Sequence, residues 1–348
     1  MSYKYTHFIP ENTAPVGAEA IGVYDSAGMR VSRVALGALD SSLSETDKLY
    51  SFCALSDIHL TYDTANEDFQ RALTYAETHC DFTCIAGDLT STGSQSEMAI
   101  YKNMIDAYAP TKPVYCIAGN HENYDNISQS YWEMYAGHPL YYSFTVGNDV
   151  FIMVGHYGGY KGDGIGWKSD EFVSVAELQW LYETLEANRN KRCFVFNHVF
   201  PHHHGTGNPN GLYHYAVNWV VNDGYIGQAY INLLRHYKNS ILFHGHSHTR
   251  FWLQELDRKA NYSSADGYKS IHIPSLSVPR ELQGGELTVI YAESEGYIVD
   301  VYDNCIILNG RDFIDNADDG HWLPIATYKI DTPLHTIPAG TFTDGTGT

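Results

Sequence analysis

The sequence predicts an α/β protein with mixed sheets, on three observations. Short apolar runs alternate with amphipathic segments from Leu49 to His246, the pattern of strands joined by packed helices. Beyond residue 269 the chain turns β-like, with SIHIPSLS, GELTVIYAES and GYIVDVYDNCIILNGRDF. Five of the earlier apolar runs also end on a side chain able to bind a metal. In open α/β sheets, ligand sites lie at that carboxyl end of the strands.

The elements follow in chain order. YSFCALSD (50–57) reads as a strand. ANEDFQRALTYAETH (65–79) reads as a helix, because Phe69, Ala72, Leu73 and Ala76 fall at i, i+3, i+4 and i+7. DFTCIAGD (81–88) is the next strand, and the helix after it places Tyr101, Met104, Ile105 and Tyr108 on one face. KPVYCIAGN (112–120) is the third strand. YYSFTVGNDVFIMVG (141–155) is two strands about a Gly-Asn turn, a hairpin. In SVAELQWLYETLEANR (174–189), Ser174 and Glu177 have capping-box spacing, and Leu178, Leu181 and Leu185 form the apolar stripe. KRCFVFNH (191–198) and SILFHGH (240–246) are strands. Between them GYIGQAYINLLRHYKN (224–239) is a helix with Tyr230, Leu233, Leu234 and Tyr237 inward. Residues 1–48 lack a helical period and carry turn residues, so they are expected to form an extension packing on the domain. Residues 331–348, rich in Thr, Gly and Pro, are expected to be a loosely packed tail.

Composition narrows the function classes. The formal charge is −20, with 21 Lys and Arg against 41 Asp and Glu, which makes long nucleic acid an improbable partner. No apolar run approaches the roughly 18 residues of a membrane span, and no basic-then-apolar leader opens the chain. Of six cysteines, Cys53, Cys84, Cys116 and Cys193 sit inside apolar runs, and no pair has zinc-site or disulfide spacing. Reduced core thiols are the reading, and a cytoplasmic protein the expectation. The oligomeric state is not readable.

The ends of the apolar runs carry the chemistry. Strand 50–57 runs into Asp57-Ile58-His59, and strand 81–86 into Gly87-Asp88. Strand 113–118 runs into Gly119-Asn120-His121-Glu122, strand 191–197 into His198, and strand 241–244 into Gly245-His246-Ser247-His248. One histidine at a strand end has a plain reading as a hydrogen-bonded edge residue. Five such ends in order do not. Glycines at 87, 119 and 245 fit tight backbone turns where ligands converge.

This ordered set, D-x-H, G-D, G-N-H-E, a later H and G-H-x-H, resembles the calcineurin-like metallophosphoesterase superfamily over roughly 49–330. The resemblance implies a four-layer α/β/β/α sandwich with two mixed β-sheets, and a catalytic domain over 49–330. It further implies two divalent or trivalent transition metal ions. One would be held by Asp57, His59, Asp88 and His248, the other by Asp88, Asn120, His198 and His246, with Asp88 bridging. By the same resemblance His121 is no ligand but stabilises the phosphoryl oxygens or protonates the leaving alkoxide. Imidazole-rich sites favour Mn, Fe or Zn over Mg or Ca. Paired cations clamp the attacking and leaving oxygens of an in-line displacement and generate hydroxide near neutral pH.

Departures narrow the branch. Phosphoprotein phosphatases carry G-D-x-V-D-R-G, where this chain has GDLTSTG. Purple acid phosphatases use D-x-G and a tyrosine in G-D-x-x-Y, where this chain has DIH and Ser91. The expectation is a small-substrate phosphodiesterase acting on a nucleotide, cyclic nucleotide or phospholipid headgroup. A phosphomonoesterase and a non-catalytic metal-binding scaffold are the alternatives, and the scaffold is disfavoured because every ligand position is filled.

Other residues bear on the substrate. Tyr157 and Tyr160, in the glycine-rich loop 156–170, either stack on a base or sugar or belong to an ordinary surface loop. The run His202, His203, His204 is conspicuous, but GTGNPNG after it is turn-forming; it reads as a pocket rim rather than a ligand set. Asn120 also faces substrate in this reading. Arg250 and Arg280 are candidate phosphate contacts, with solvated arginines as the plainer expectation. Glu122 is expected to orient its neighbours.

Overall fold

In each strand, alternate side chains take opposite faces, and here the two sets separate into different cores. In the computed structural model, residues 20–24, 30–35, 43, 45–124, 129–155, 173–199, 226–251, 262–263, 267–283, 286–289, 293–314 and 326–342 are described. An antiparallel pair, β1 (Ala20–Tyr24) and β2 (Arg30–Ala35), lies in the segment where no strand is expected from sequence. Next come β3 (Tyr50–Leu55), α1 (Ala65–His79), β4 (Phe82–Ile85), α2 (Gln95–Tyr108), β5 (Val114–Cys116) and α3 (Gln129–Ala136). The hairpin is β6 (Tyr141–Val146) with β7 (Asp149–Val154). It leads into α4 (Val175–Ala187), β8 (Cys193–Asn197), α5 (Ile226–His236) and β9 (Ser240–His244). Then follow β10 (Tyr262–Ser263), β11 (Lys269–His272), β12 (Arg280–Gln283) and β13 (Glu286–Val289). The last strands are β14 (Glu295–Val301), β15 (Cys305–Asp312) and β16 (Ala326–Asp331).

Two six-stranded mixed sheets result. The first has the order β16-β15-β14-β3-β4-β5, with β3, β4 and β5 parallel and the rest antiparallel. The second has the order β10-β11-β9-β8-β7-β6, with β11, β9, β8 and β7 parallel. Phe52 and Ala54 of β3 join Phe151, Phe194, Phe196 and Phe243 in a core between the sheets. Cys53 and Leu55, the alternate residues of β3, join Phe69, Leu73, Met98 and Tyr101 beneath α1 and α2. On the second sheet Val150, Ile152 and Val195 meet Leu181, Leu185, Tyr230, Leu233 and Leu234 of α4 and α5. Three cores separate four layers, α/β/β/α. The central core is aromatic: the Phe52 ring contacts Phe82, Phe151, Phe194, Phe196 and Phe243 at centroid distances of 5.3–6.3 Å.

At the amino ends of the parallel strands a buried polar clamp joins the sheets. Arg192 donates to both carboxylate oxygens of Asp149, from Nε at 3.0 Å and Nη2 at 2.6 Å. Tyr50 of the first sheet donates to the same carboxylate at 2.6 Å. From Nη1, Arg192 reaches the Tyr302 carbonyl at 2.8 Å and Thr332 Oγ1 at 2.9 Å.

Two expectations need correction. The tail is tied down through residue 342: Asn239 and His335 exchange hydrogen bonds at 2.7 Å, and Gly340 N donates to Glu186 at 2.8 Å. Phe342 packs on Tyr182 and Tyr237, so composition understated its order. Arg250 is buried, not solvated, and pairs with Glu293. All six cysteines are buried and free. Among the described residues no helix is long and apolar enough to cross a membrane.

Candidate metal centre

The strands end earlier than the sequence runs imply. β3 stops at Leu55 and β4 at Ile85, so the metal-capable residues stand on loops just beyond the sheets. There Asp57, His59, Asp88, His246 and His248 all adopt positive φ, between 50° and 72°. L residues avoid this region at a cost of about 1–2 kcal/mol each, and such strain concentrates at functional sites. Of the three glycines singled out, only Gly87 has a left-handed φ, +87°. Gly119 is needed for a different reason: a Cβ there would overlap Asp88 Oδ1 and the Asp88 backbone nitrogen.

The loops bring together two groups. Asp57, His59, Asp88 and His248 present ligand atoms within 4.8 Å of one another, as do Asp88, His198 and His246. All are buried, and Asp88 belongs to both. In the second group His198 and His246 follow β8 and β9 of the second sheet and Asp88 follows β4 of the first, so both sheets contribute. Nδ1 of His198 is 2.7 Å from the Ala86 carbonyl and Nδ1 of His248 is 3.2 Å from that of Val278. A carbonyl only accepts, so these nitrogens donate and Nε2 of each faces the carboxylates. His198 Nε2 is 3.0 Å from Asp88 Oδ2, and His248 Nε2 is 3.1 Å from Asp57 Oδ1. His59 Nε2 and His248 Nε2 approach to 3.1 Å. Two nitrogens bonded to one zinc-sized ion at about 2.0–2.1 Å would stand about 3 Å apart, so the spacing suits a shared cation.

Asn120 supplies a further sign. Its Nδ2 donates to Tyr124 Oη at 3.1 Å, which orients the amide, while its buried Oδ1 has no hydrogen-bond partner. A buried acceptor left this way is costly unless something electropositive meets it. The carboxylate, imidazole and amide donors fit a transition metal.

Electrostatics agree with this arrangement. Burial raises Asp57 and Asp88, but the imidazoles of His248 and His198 around Asp57, and of His198 and His121 around Asp88, prevail and hold both below the usual carboxylate range. Burial, then the neighbouring His198, lowers His246 to about 3. His198 goes the other way: burial opposes charge, yet Asp88 and Asp57 lift it to about 9. Its Nε2 therefore holds a proton that an incoming cation would displace.

His121 stands at the wall of a cavity of about 310 Å³ that these groups floor, with Tyr62, Tyr124, Val278 and Arg280 around it. Its backbone nitrogen donates to Asp88 Oδ1 at 2.9 Å, and Nδ1 is 2.7 Å from the Ser91 carbonyl. That bond orients the ring. Glu122 is buried and accepts from Gly119 N at 2.7 Å and from Thr90 N and Oγ1 at 2.9 and 3.0 Å. It thereby ties the Asp88 loop to the Asn120 loop. Tyr157, Tyr160, His202, His203 and His204 lie outside the described residues. Sequence reasoning missed Tyr124, although its i+4 spacing from Asn120 was readable. It also missed the buried Ser247–His272 pair at 2.6 Å beneath the G-H-x-H turn, for which the sequence carries no signal.

Among solved structures, the GAP50 anchor of the inner membrane complex of Plasmodium is similar at 11% identity and a TM-score of 0.50, over 85% of this chain and 92% of that one. A predicted phosphoesterase from Streptococcus pneumoniae matches at 12% identity and a TM-score of 0.39, over 81% and 97%. Vacuolar protein sorting 29 from Cryptosporidium parvum matches at 13% and 0.35, over 82% and 97%. At these identities the likeness is one of fold. No curated protein sequence matches the chain. The family model described as calcineurin-like phosphoesterase matches residues 50–250, more than half the chain, and with that match the chain belongs to the calcineurin-like phosphoesterase family.

Proposed function

We propose that this chain hydrolyses phosphate esters of small organic alcohols, as a phosphodiesterase. In this reading Asp57, His59, Asp88 and His248 hold one cation, and Asp88, Asn120, His198 and His246 hold a second. The observation that carries it is the sharing of Asp88 by two buried ligand groups at the floor of a cavity walled by His121. Bound there, manganese, iron or zinc ions supply Lewis acidity toward the phosphoryl oxygens and acidify the attacking water. The chain's own part is positional and protonic. Asp88 is fixed by the His121 backbone, and Asn120 is aimed by Tyr124. His121, its Nδ1–H committed to the Ser91 carbonyl, would act as the imidazolium: Nε2–H gives its proton to the departing alkoxide as the P–O bond breaks, leaving the neutral ring still bonded to Ser91. The motif departures set aside the phosphoprotein and purple acid phosphatases, since the GDLTSTG and DIH blocks lack their marks, and leave small-substrate diesterases and monoesterases, of which the diesterase is the reading adopted.

The test is hydrolysis of bis-p-nitrophenyl phosphate and p-nitrophenyl phosphate by protein reconstituted with Mn, Fe or Zn, followed by nucleotides and cyclic nucleotides. Diester turnover exceeding monoester turnover is expected. A fully metal-loaded protein that cleaves no ester in the panel would leave the scaffold reading standing instead.

A further inference from the structure

Apart from the ligand groups and His121, the cavity lining includes the neutral residues Tyr62, Ser91, Tyr124, Val278 and Val289. Arg280 breaks that pattern. It opens β12, and its backbone nitrogen donates to the carbonyl of His248 at 2.7 Å, while its own carbonyl accepts from Arg250 N at 3.3 Å. Thr249 and Arg280 bridge as parallel strands do. The Arg280 backbone is therefore joined directly to the G-H-x-H segment, and its side chain, half-buried, lines the cavity beside His59, His246 and His248. Nearby Arg250 pairs with Glu293 and is not among the residues lining the cavity, whereas Arg280 is.

We infer that Arg280 is a specificity-determining, substrate-binding residue that recognises a second negative charge on the phosphate ester. A guanidinium binds anionic oxygens through two parallel N–H donors and keeps its charge at every working pH. A singly charged ester has its charge met at the cavity floor. An ester with two negative charges has one left for the wall, where Arg280 stands. The second charge has two sources: the other ionised oxygen of a phosphomonoester, or an acidic group on the organic part of a diester. The same chemistry recognises both. Tyr62, with 44% of its surface exposed, stands at the same cavity and offers an aromatic face to the organic part.

This inference rests on the phosphoester reading, and its test separates the two. Wild type, R280K and R280Q, loaded with the same metal to the same measured content, are compared on three substrates. These are bis-p-nitrophenyl phosphate, with one charge; p-nitrophenyl phosphate, with two on the reacting group; and the p-nitrophenyl phosphodiester of glycolic acid, whose carboxylate puts the second charge on the organic part. R280Q is expected to lose about tenfold or more in kcat/KM, mainly through KM, on at least one doubly charged substrate. On the singly charged diester the loss is about threefold or less, and R280K recovers part of the larger one. Which doubly charged substrate suffers identifies the source of the charge. Equal losses on all three, or none, overturn the inference. A second arm needs no turnover: titration of inorganic phosphate into the metal-loaded proteins by calorimetry. Weaker phosphate binding by R280Q than by wild type supports the role of Arg280 even if nothing is hydrolysed, in which case only the hydrolase reading falls. Equal phosphate binding together with equal kinetics removes Arg280 from the site.

Discussion

Replacing Gly87 with alanine tests whether the backbone at the Asp88 loop exists to admit His198. Gly87 has φ +87°, and an added Cβ would lie 2.8 Å from Cβ, Cγ and Nδ1 of His198. The conformation alone costs an L residue about 1–2 kcal/mol. Ordinary contact begins near 3.4 Å, so the ring must retreat by about 0.6 Å. It has no slack to do so, because Nδ1 is held by the Ala86 carbonyl at 2.7 Å and Nε2 faces Asp88 at 3.0 Å. Overpacking of this kind adds about 1–3 kcal/mol. The sum is a loss of about 2–5 kcal/mol in stability, with metal affinity at the His198 group lower by about 10–100-fold. Urea unfolding of the metal-free protein reads the first quantity, and calorimetric titration with zinc or manganese reads the second. If G87A unfolds within about 0.5 kcal/mol of wild type and binds metal equally well, the glycine is not there to admit the histidine. Lost stability with unchanged metal affinity would mean that the backbone is strained but His198 is not displaced.

Four further outcomes are expected. Asp88→Asn replaces the shared carboxylate with a weaker donor and should abolish nearly all hydrolysis and much of the bound metal, measured by elemental analysis; near-wild-type metal content would deny Asp88 its bridging place. His121→Asn should lower kcat by about 10²–10⁴ while metal content stays full, and loss of metal in that variant would make His121 a ligand. Arg192→Ala leaves Asp149 buried without its partner and should cost about 3–5 kcal/mol of stability in chemical denaturation; a change under 1 kcal/mol would mean the clamp is dispensable. Burial, then the Asp88 charge, raises the Glu122 carboxyl to about 7. A raised carboxyl contributes stability that is full below its unfolded value and lost as pH rises through the folded one. The melting temperature of metal-free wild type minus that of E122Q should therefore fall between about pH 4.5 and 7, and a flat difference would refute the shift.

The strand and helix sequences are readable because each element has one buried face. Phe69, Ala72, Leu73 and Ala76 recur at helical spacing and are all buried. Strands such as YSFCAL are buried on both faces and so read as continuous apolar runs. The metal-capable residues are readable for a related reason, since the apolar runs stop where the site begins. What escapes is whatever depends on distant parts of the chain or on backbone conformation. Arg250 reads as a surface residue because its partner, Glu293, is 43 residues away. The tail reads as loose because Asn190, Asn239 and Glu186, which hold it, are about 100–150 residues upstream. The glycines point to where the backbone turns, yet within the metal centre the left-handed conformations fall on Asp57, His59, Asp88, His246 and His248 themselves. No residue type announces that.

The placement of the Asp149–Arg192 clamp has a mechanical consequence. It fastens the two sheets at one pole of the sandwich, with every partner encoded in the chain. At the other pole the sheets meet through Asp57 and Asp88 on one side and His198, His246 and His248 on the other. At this pole too the chain fastens itself, since His246 N donates to the Asp57 carboxylate and Ser275 Oγ to the Asp57 carbonyl at 2.9 Å, and a cation held among these residues would add a second fastening there. Chelation of a cation bound there should then raise hydrogen exchange at the ends of β8 and β9 before it reaches Arg192.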